Sequence, residues 1–251
     1  LVQGLTEFLP ISSSGHLVVA EAAIGLSTPG VVVEVALHVA TLLAVGLVYA
    51  DRLWDLVRGA VAGQAAAWRY LGLLALASVP AGVIGFLLSH VFERAFDSLL
   101  VVGVDFVVTG LILWSTRWAV GPASREVPRA AGALGIGVAQ AAAILPGVSR
   151  AGATVAAGLW HGMEPVRAAE FSFLLAIPAI VGAAALQVPR LMEGDAVVAL
   201  GPLAVSFLVA LAAGVWAIRF LVALLRRGGF HRFAPYCWAA GGATIVWALA
   251  G

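Results

Sequence analysis

Apolar runs of about 20 residues, each long enough to cross a bilayer as a helix, recur along the chain at 31–50, 70–89, 98–117, 168–189, 197–224 and 233–250. Two other stretches, 1–27 and 130–162, are apolar at both ends and broken in the middle. The first break reads Leu9-Pro10-Ile11-Ser12-Ser13-Ser14-Gly15-His16, the second Leu145-Pro146-Gly147-Val148-Ser149-Arg150-Ala151-Gly152. Irregular backbone at membrane depth survives only where protein or a wet cavity satisfies it. Both stretches therefore read as re-entrant helix–loop–helix hairpins.

The hairpins look like copies of each other. Leu9 and Leu145, Pro10 and Pro146, Ser13 and Ser149, and Glu34 and Glu170 are all 136 positions apart. Each half then holds one hairpin and three spans, and an odd number of spans turns the second half upside down. The expected fold is an all-α polytopic membrane protein in a single membrane domain, with about six transmembrane helices and two re-entrant hairpins arranged as inverted repeats. Repeat 1 covers 1–118 and repeat 2 covers 130–251. In such folds the broken tips meet near the midplane and form the binding site.

Composition agrees with a membrane solvent. Of the 251 residues, 62% are hydrophobic and 11% charged, with mean hydropathy +1.05; a soluble domain carries roughly 25% charged residues. Net charge is +1, with no signature of a nucleic-acid partner. Cys237 alone makes neither a disulfide nor a CxxC metal site. The arginines alternate between loops. Arg52, Arg58 and Arg69 follow the first span, Arg94 the second, Arg117, Arg125 and Arg129 the third, Arg190 the fourth, and Arg226, Arg227 and Arg232 the fifth. By the positive-inside rule the arginine-rich loops are cytoplasmic and both chain ends lie outside. The chain opens at Leu1 within an apolar pattern, which reads as a truncated N-terminus.

Ionisable residues inside a membrane are costly and point to function. The first hairpin carries Gln3 and Glu7, four apart on one helix face, with Ser13 and His16 at its break. The second carries Ser149, Arg150 and Thr154, with Gly147 and Gly152 around them. Carboxylate and amide oxygens suit Mg²⁺ or Ca²⁺. An arginine fork and glycine-rich turns at helix N-termini suit phosphate. One hairpin offers acid–base and metal chemistry, the other an anion clamp.

The run Val2-Gln3-Gly4-Leu5-Thr6-Glu7-Phe8-Leu9-Pro10-Ile11-Ser12-Ser13-Ser14-Gly15-His16 resembles the first signature of the bacterial undecaprenyl-diphosphate phosphatase family, the bacitracin-resistance proteins. Pro146-Gly147-Val148-Ser149-Arg150-Ala151-Gly152-Ala153-Thr154 resembles the second, and Glu170-Phe171-Ser172-Phe173-Leu174-Leu175-Ala176-Ile177-Pro178 is similar to a further family segment. The resemblance implies hydrolysis of undecaprenyl (polyprenyl) diphosphate to the monophosphate, recycling the lipid carrier for peptidoglycan synthesis. It implies Mg²⁺ or Ca²⁺ held by Glu7 and Gln3, His16 as catalytic imidazole, Ser13 as candidate nucleophile, and Arg150, Ser149 and Thr154 as a phosphate grip. It also implies the bacterial inner membrane, with the site opening outward and lipids as partners; a homodimer is left open. One departure stands out, Ala151 where the family usually has Ser.

Bland readings compete for several positions. His16 is alternatively a core imidazole, Arg150 a snorkelling arginine, and Ser12, Ser14 and Ser149 helix caps. Glu34 and Glu170 read best as a structural polar pair at the repeat interface. Glu21 and His38 are candidates for a supporting shell, and Asp105 for a cavity wall. His161 and His231 read as solvated. The rival functions are a polyprenyl-phosphate flippase or transporter on the same architecture, and a membrane scaffold; the scaffold leaves Glu7, His16 and Arg150 without a task.

Overall fold

The computed structural model describes residues 1–25, 30–119, 125–193 and 199–250, with side chains left aside at 30–31 and 186–193. The Arg190 side chain and positions 197–198 of the expected fifth span fall outside that description. The described residues are helical apart from turns and one isolated bridge, Arg125 to Met163. Among the described residues five stretches are long and apolar enough to cross a bilayer. They are formed by α5 (Ala65–Leu87), α7 (Leu99–Ser115), α10 (Pro165–Glu193), α11 (Leu200–Arg226) and α12 (Ala234–Ala250). Their outward faces are oily: Phe86, Leu200 and Leu249 are 77%, 80% and 73% exposed. Such surface requires lipid rather than water around it.

A sixth span is reached if α3 (Gly30–Val48) and α4 (Ala50–Val61), which meet at a 77° bend, count together as one. The stretch 51–69 is thus not a plain loop. In α4 the charges Asp51, Arg52, Asp55 and Arg58 alternate with Leu53, Trp54, Leu56 and Val57, the pattern of an amphipathic helix. The bend lets Arg52 reach α10, where its Nε lies 2.8 Å from Glu170 Oε1, while Arg167 Nη1 holds Oε2 at 2.9 Å. The expected Glu34–Glu170 pair is therefore replaced: two guanidinium groups satisfy Glu170, and a second carboxylate would only repel it. A short α6 (Ser89–Phe96) turns the chain from α5 into α7.

Both hairpins form as helix–break–helix units, α1 (Val2–Thr6) with α2 (Ser13–Ile24) and α8 (Ala130–Ala142) with α9 (Arg150–Trp160). Serine restarts the helix each time. Ser12 Oγ accepts from Gly15 N at 3.3 Å and Ser149 Oγ from Gly152 N at 3.0 Å, caps worth about 1 kcal/mol each. The tips are stitched together. Ser12 Oγ also accepts from Gly147 N at 3.2 Å, and the Thr109 hydroxyl of α7 donates to Gly147 O at 2.8 Å while accepting from Ser149 N at 3.0 Å. Gly147 sits at φ +108°, and a Cβ there would lie 2.5 Å from Val102 O, so no other residue fits this junction.

Packing between the halves is reciprocal. Gly4 of α1 lies so close to α11 that a Cβ would be 2.4 Å from Ala210 O. Gly137 of α8 meets α5 in the same way, 2.4 Å from Ala77 O. The two glycines and the two alanines are each 133 positions apart. The α7 helix packs along α12 and α3 along α10.

Candidate active site

The two hairpin breaks open on one cavity of about 290 Å³. The first turn of α2 lines it with Ser12, Ser13 and Ser14, and the start of α9 with Ser149 and Arg150. Two helix N-termini thus converge on one space, each carrying unpaired N–H groups and about half a positive charge. Glu7, from the turn closing α1, is the anionic group among them. Its carboxylate takes Arg150 Nη2 at 2.5 Å, the Ser13 hydroxyl at 2.6 Å and the Gln3 side-chain amide at 2.7 Å. Glu7 is 8% exposed, and three donors are what a buried carboxylate requires.

These contacts bring Gln3, Glu7, Ser13 and Arg150 into one cluster. Ser149 borders the same cavity, though its hydroxyl is committed to the α9 cap. Thr154 lies deeper. Its hydroxyl donates to Arg150 O at 2.7 Å and meets Ser172 Oγ at 2.5 Å, pinning α9 to α10. Gly147 and Gly152 are buried packing positions, the latter against its own cap Ser149. Asp105 packs against the Gly147 tip.

His16 points elsewhere. Its Nδ1–H donates to Ser12 O at 2.7 Å and its Nε2 accepts from the Tyr236 hydroxyl at 2.7 Å. The ring lies edge-on to Phe106 and parallel to Tyr236. Both ring nitrogens are engaged, Nδ1 within the first tip and Nε2 fastening that tip to α12. The imidazole bordering the cavity is His38, on α3. Its Nδ1–H donates to Glu34 O at 2.9 Å, which leaves Nε2 as the free nitrogen. Its sequence signal was weak, a lone histidine one helical turn after Glu34. Glu34, Glu21 and Gln3 line a neighbouring hollow with His38.

A second, larger cavity of about 640 Å³ lies between α5, α8 and α10 and borders the first along Ala143, Ile144, Arg150, Ala179 and Ala183, which line both. Its walls are mostly small and apolar, Ala81, Gly82, Gly85, Phe86 and Pro178 among them. A cavity bordered by anion-binding helix ends and by Glu7 therefore shares a wall, Arg150 included, with an oily slot. That shape suits a lipid with a phosphate head.

Residues 1–243 match the family of bacitracin resistance protein BacA. The chain belongs to the BacA family. Relatives agree over nearly full length. The undecaprenyl-diphosphatase of Desulfosudis oleivorans is 41% identical over 98% of this chain and 94% of its own. That of Alcanivorax borkumensis is 42% identical over 98% and 96%, and that of Carboxydothermus hydrogenoformans 38% over 100% and 95%. The departure from the BacA motif at Ala151 falls outside the site, because this side chain is 3% exposed and sits in the hydrophobic core. The polar cluster of this BacA member, Gln3, Glu7, Ser13 and Arg150, does not involve its side chain.

Proposed function

We propose that this chain is an integral-membrane phosphatase that hydrolyses undecaprenyl diphosphate to the monophosphate and inorganic phosphate, returning the lipid carrier to cell-wall synthesis and conferring bacitracin resistance. The observation that carries the reading is the Ser13 hydroxyl and the Arg150 guanidinium on one buried carboxylate, Glu7, inside a cavity where two helix N-termini converge. A hydroxyl beside a carboxylate is an activated nucleophile. A guanidinium beside it holds phosphate oxygens, and phosphoryl transfer is mostly positioning and charge stabilisation.

In this reading the terminal phosphate lies between Arg150 and the starts of α2 and α9. Ser13 Oγ attacks its phosphorus and passes its proton to Glu7 Oε2. The bond from phosphorus to the bridging oxygen breaks, and prenyl monophosphate departs. Water then attacks the phosphoserine, His38 Nε2 takes the water proton, and Ser13 Oγ leaves with the proton returned by Glu7. His16 holds the tip that carries Ser13. The prenyl chain lies in the slot between α5, α8 and α10.

The residues also fit a divalent cation, Mg²⁺ or Ca²⁺. Gln3 Oε1 is buried with no hydrogen-bond partner, and the amide nitrogen of the same side chain donates to Glu7 Oε2 at 2.7 Å. Among the described residues no three His, Cys, Asp or Glu side chains gather for a metal, so Glu7 and Gln3 would hold the ion together with diphosphate oxygens and water, a common arrangement for Mg²⁺. When bound, the ion would supply neutralisation of the diphosphate charge. Removal by a chelator is expected to stop turnover, and Gln3→Glu to lower the Mg²⁺ concentration giving half-maximal rate.

The 136-residue offset and the reciprocal contacts of Gly4 and Gly137 support reading the halves as inverted repeats. The arginine rhythm supports an inner-membrane orientation with the cavity opening outward. A flippase on the same frame leaves the Ser13–Glu7–Arg150 cluster unused. The deciding experiment incubates purified protein with undecaprenyl diphosphate and Mg²⁺ and measures free phosphate. Stoichiometric phosphate release is expected; movement of intact lipid between leaflets without release would favour the flippase.

A further inference from the structure

We propose that Gln140 grips the inner phosphate of the substrate, the one that stays on the prenyl product. The inference rests on the phosphatase reading and extends it to a residue outside the Ser13–Glu7–Arg150 cluster. Gln140 lies in the last turn of α8 and is 3% exposed. Neither its amide nitrogen nor its amide oxygen has a hydrogen-bond partner. A buried amide without partners carries a desolvation penalty that selection removes cheaply, by Leu or Met, unless a ligand relieves it. The side chain lines the slot between α5, α8 and α10, so relief comes from what enters that slot.

Position identifies the ligand atom. Glu7 and Ser13 border the head-group cavity, Gln140 borders the slot, and Arg150 borders both. A prenyl diphosphate threaded through the two places its terminal phosphorus at Ser13 and its inner phosphate beyond Arg150. Gln140 stands about one helical turn, roughly 5 Å along the axis, before Ala143 and Ile144, which line both spaces. The other slot residue with a hydroxyl, Ser78, donates it to Leu74 O of its own helix at 2.8 Å. With the spare N–H groups of Arg150 turned to the terminal phosphate, the Gln140 amide N–H groups are free donors for an inner-phosphate oxygen at the start of the prenyl chain. A neutral amide suits this place. It binds the anion through N–H groups and adds no charge to an oily slot.

The test compares wild type, Gln140→Leu and Gln140→Glu by thermal melting, KM for undecaprenyl diphosphate, and inhibition by undecaprenyl monophosphate and by inorganic phosphate. For Gln140→Leu, monophosphate inhibition is expected to weaken roughly tenfold to a hundredfold, the range for a hydrogen bond to a charged group. KM should rise with it, inhibition by inorganic phosphate should stay unchanged, and Tm should hold or rise because an orphan amide has gone. Gln140→Glu, equal in shape, should bind monophosphate more weakly than Gln140→Leu. Unchanged monophosphate inhibition in a folded Gln140→Leu protein would overturn the proposal. So would equal shifts for monophosphate and inorganic phosphate, or a fallen Tm with unchanged constants for the folded fraction. If wild type releases no phosphate, the phosphatase reading falls separately, and direct titration of monophosphate onto the same variants still decides for or against Gln140.

Discussion

Glu7 and Arg150 stand 143 positions apart in the chain and meet at 2.5 Å where the two hairpin tips touch. Their side chains are 7% and 19% exposed. Either charge alone at this depth would cost several kcal/mol. Together they satisfy each other and leave Arg150 with spare N–H groups for a phosphate. The contact is both a condition for docking the hairpins and the centre of the chemistry.

Arg150→Ala should therefore do two separable things. Turnover should fall by about a thousandfold or more, as when a preorganised charge stabiliser is lost. Stability should fall by about 3–5 kcal/mol, because Glu7 is left as an unpaired buried charge. Adding Glu7→Gln should restore most of the Tm without restoring phosphate release. Thermal melts of single and double variants check this; identical melts would show that the pair is not what makes the carboxylate tolerable.

The two imidazoles should separate cleanly. His38→Gln is expected to slow turnover by roughly a hundredfold or more, the size of a general-base contribution. His16→Gln, which breaks contacts to Ser12 and Tyr236, should mainly cost about 1–3 kcal/mol of stability. Steady-state rates on protein of equal folded content distinguish them. A larger rate loss for His16→Gln than for His38→Gln would reverse the assignment.

At the tip junction, Gly147→Ala should prevent folding at ordinary temperature. The left-handed φ of +108° and the 2.5 Å approach to Val102 O each make a Cβ costly, by about 1–3 kcal/mol for the backbone strain alone. Gly72→Ala on α5 is the control, since nothing lies within 4 Å of its Cβ position; it should be neutral or gain about 1 kcal/mol of helix propensity. Fluorescence-detected size-exclusion profiles of the two variants give the comparison.

Much of this was readable from residues. Runs of about 20 apolar positions locate spans because a bilayer sets helix length. The broken hairpins showed because Pro10 and Pro146 interrupt apolar stretches that water cannot rescue. Placing both breaks at one depth predicts that His16, Ser13 and Glu7 of one tip meet Arg150 of the other; Glu7 and Ser13 join Arg150 in one cluster, and His16 turns to Tyr236 instead. Other features depend on direction rather than residue type. The sequence motif contains His16, yet its Nε2 is taken by Tyr236, 220 positions away, and no local pattern foretells that. Thr154 belongs to the second motif, but its hydroxyl turns to Arg150 O and Ser172. Arg52 reads as a loop charge until the 77° bend at the end of α3 carries it to Glu170. Gln140 is one polar residue in an apolar helix, and only burial without partners sets it apart.

The most direct test of the central claim is a rapid-quench turnover with undecaprenyl diphosphate labelled in the terminal phosphate, followed by peptide mapping. The account predicts transient label on Ser13, accumulating in His38→Gln and absent in Ser13→Ala, whose turnover falls to traces. Label appearing only as free phosphate, with Ser13→Ala turning over at the wild-type rate, would contradict it.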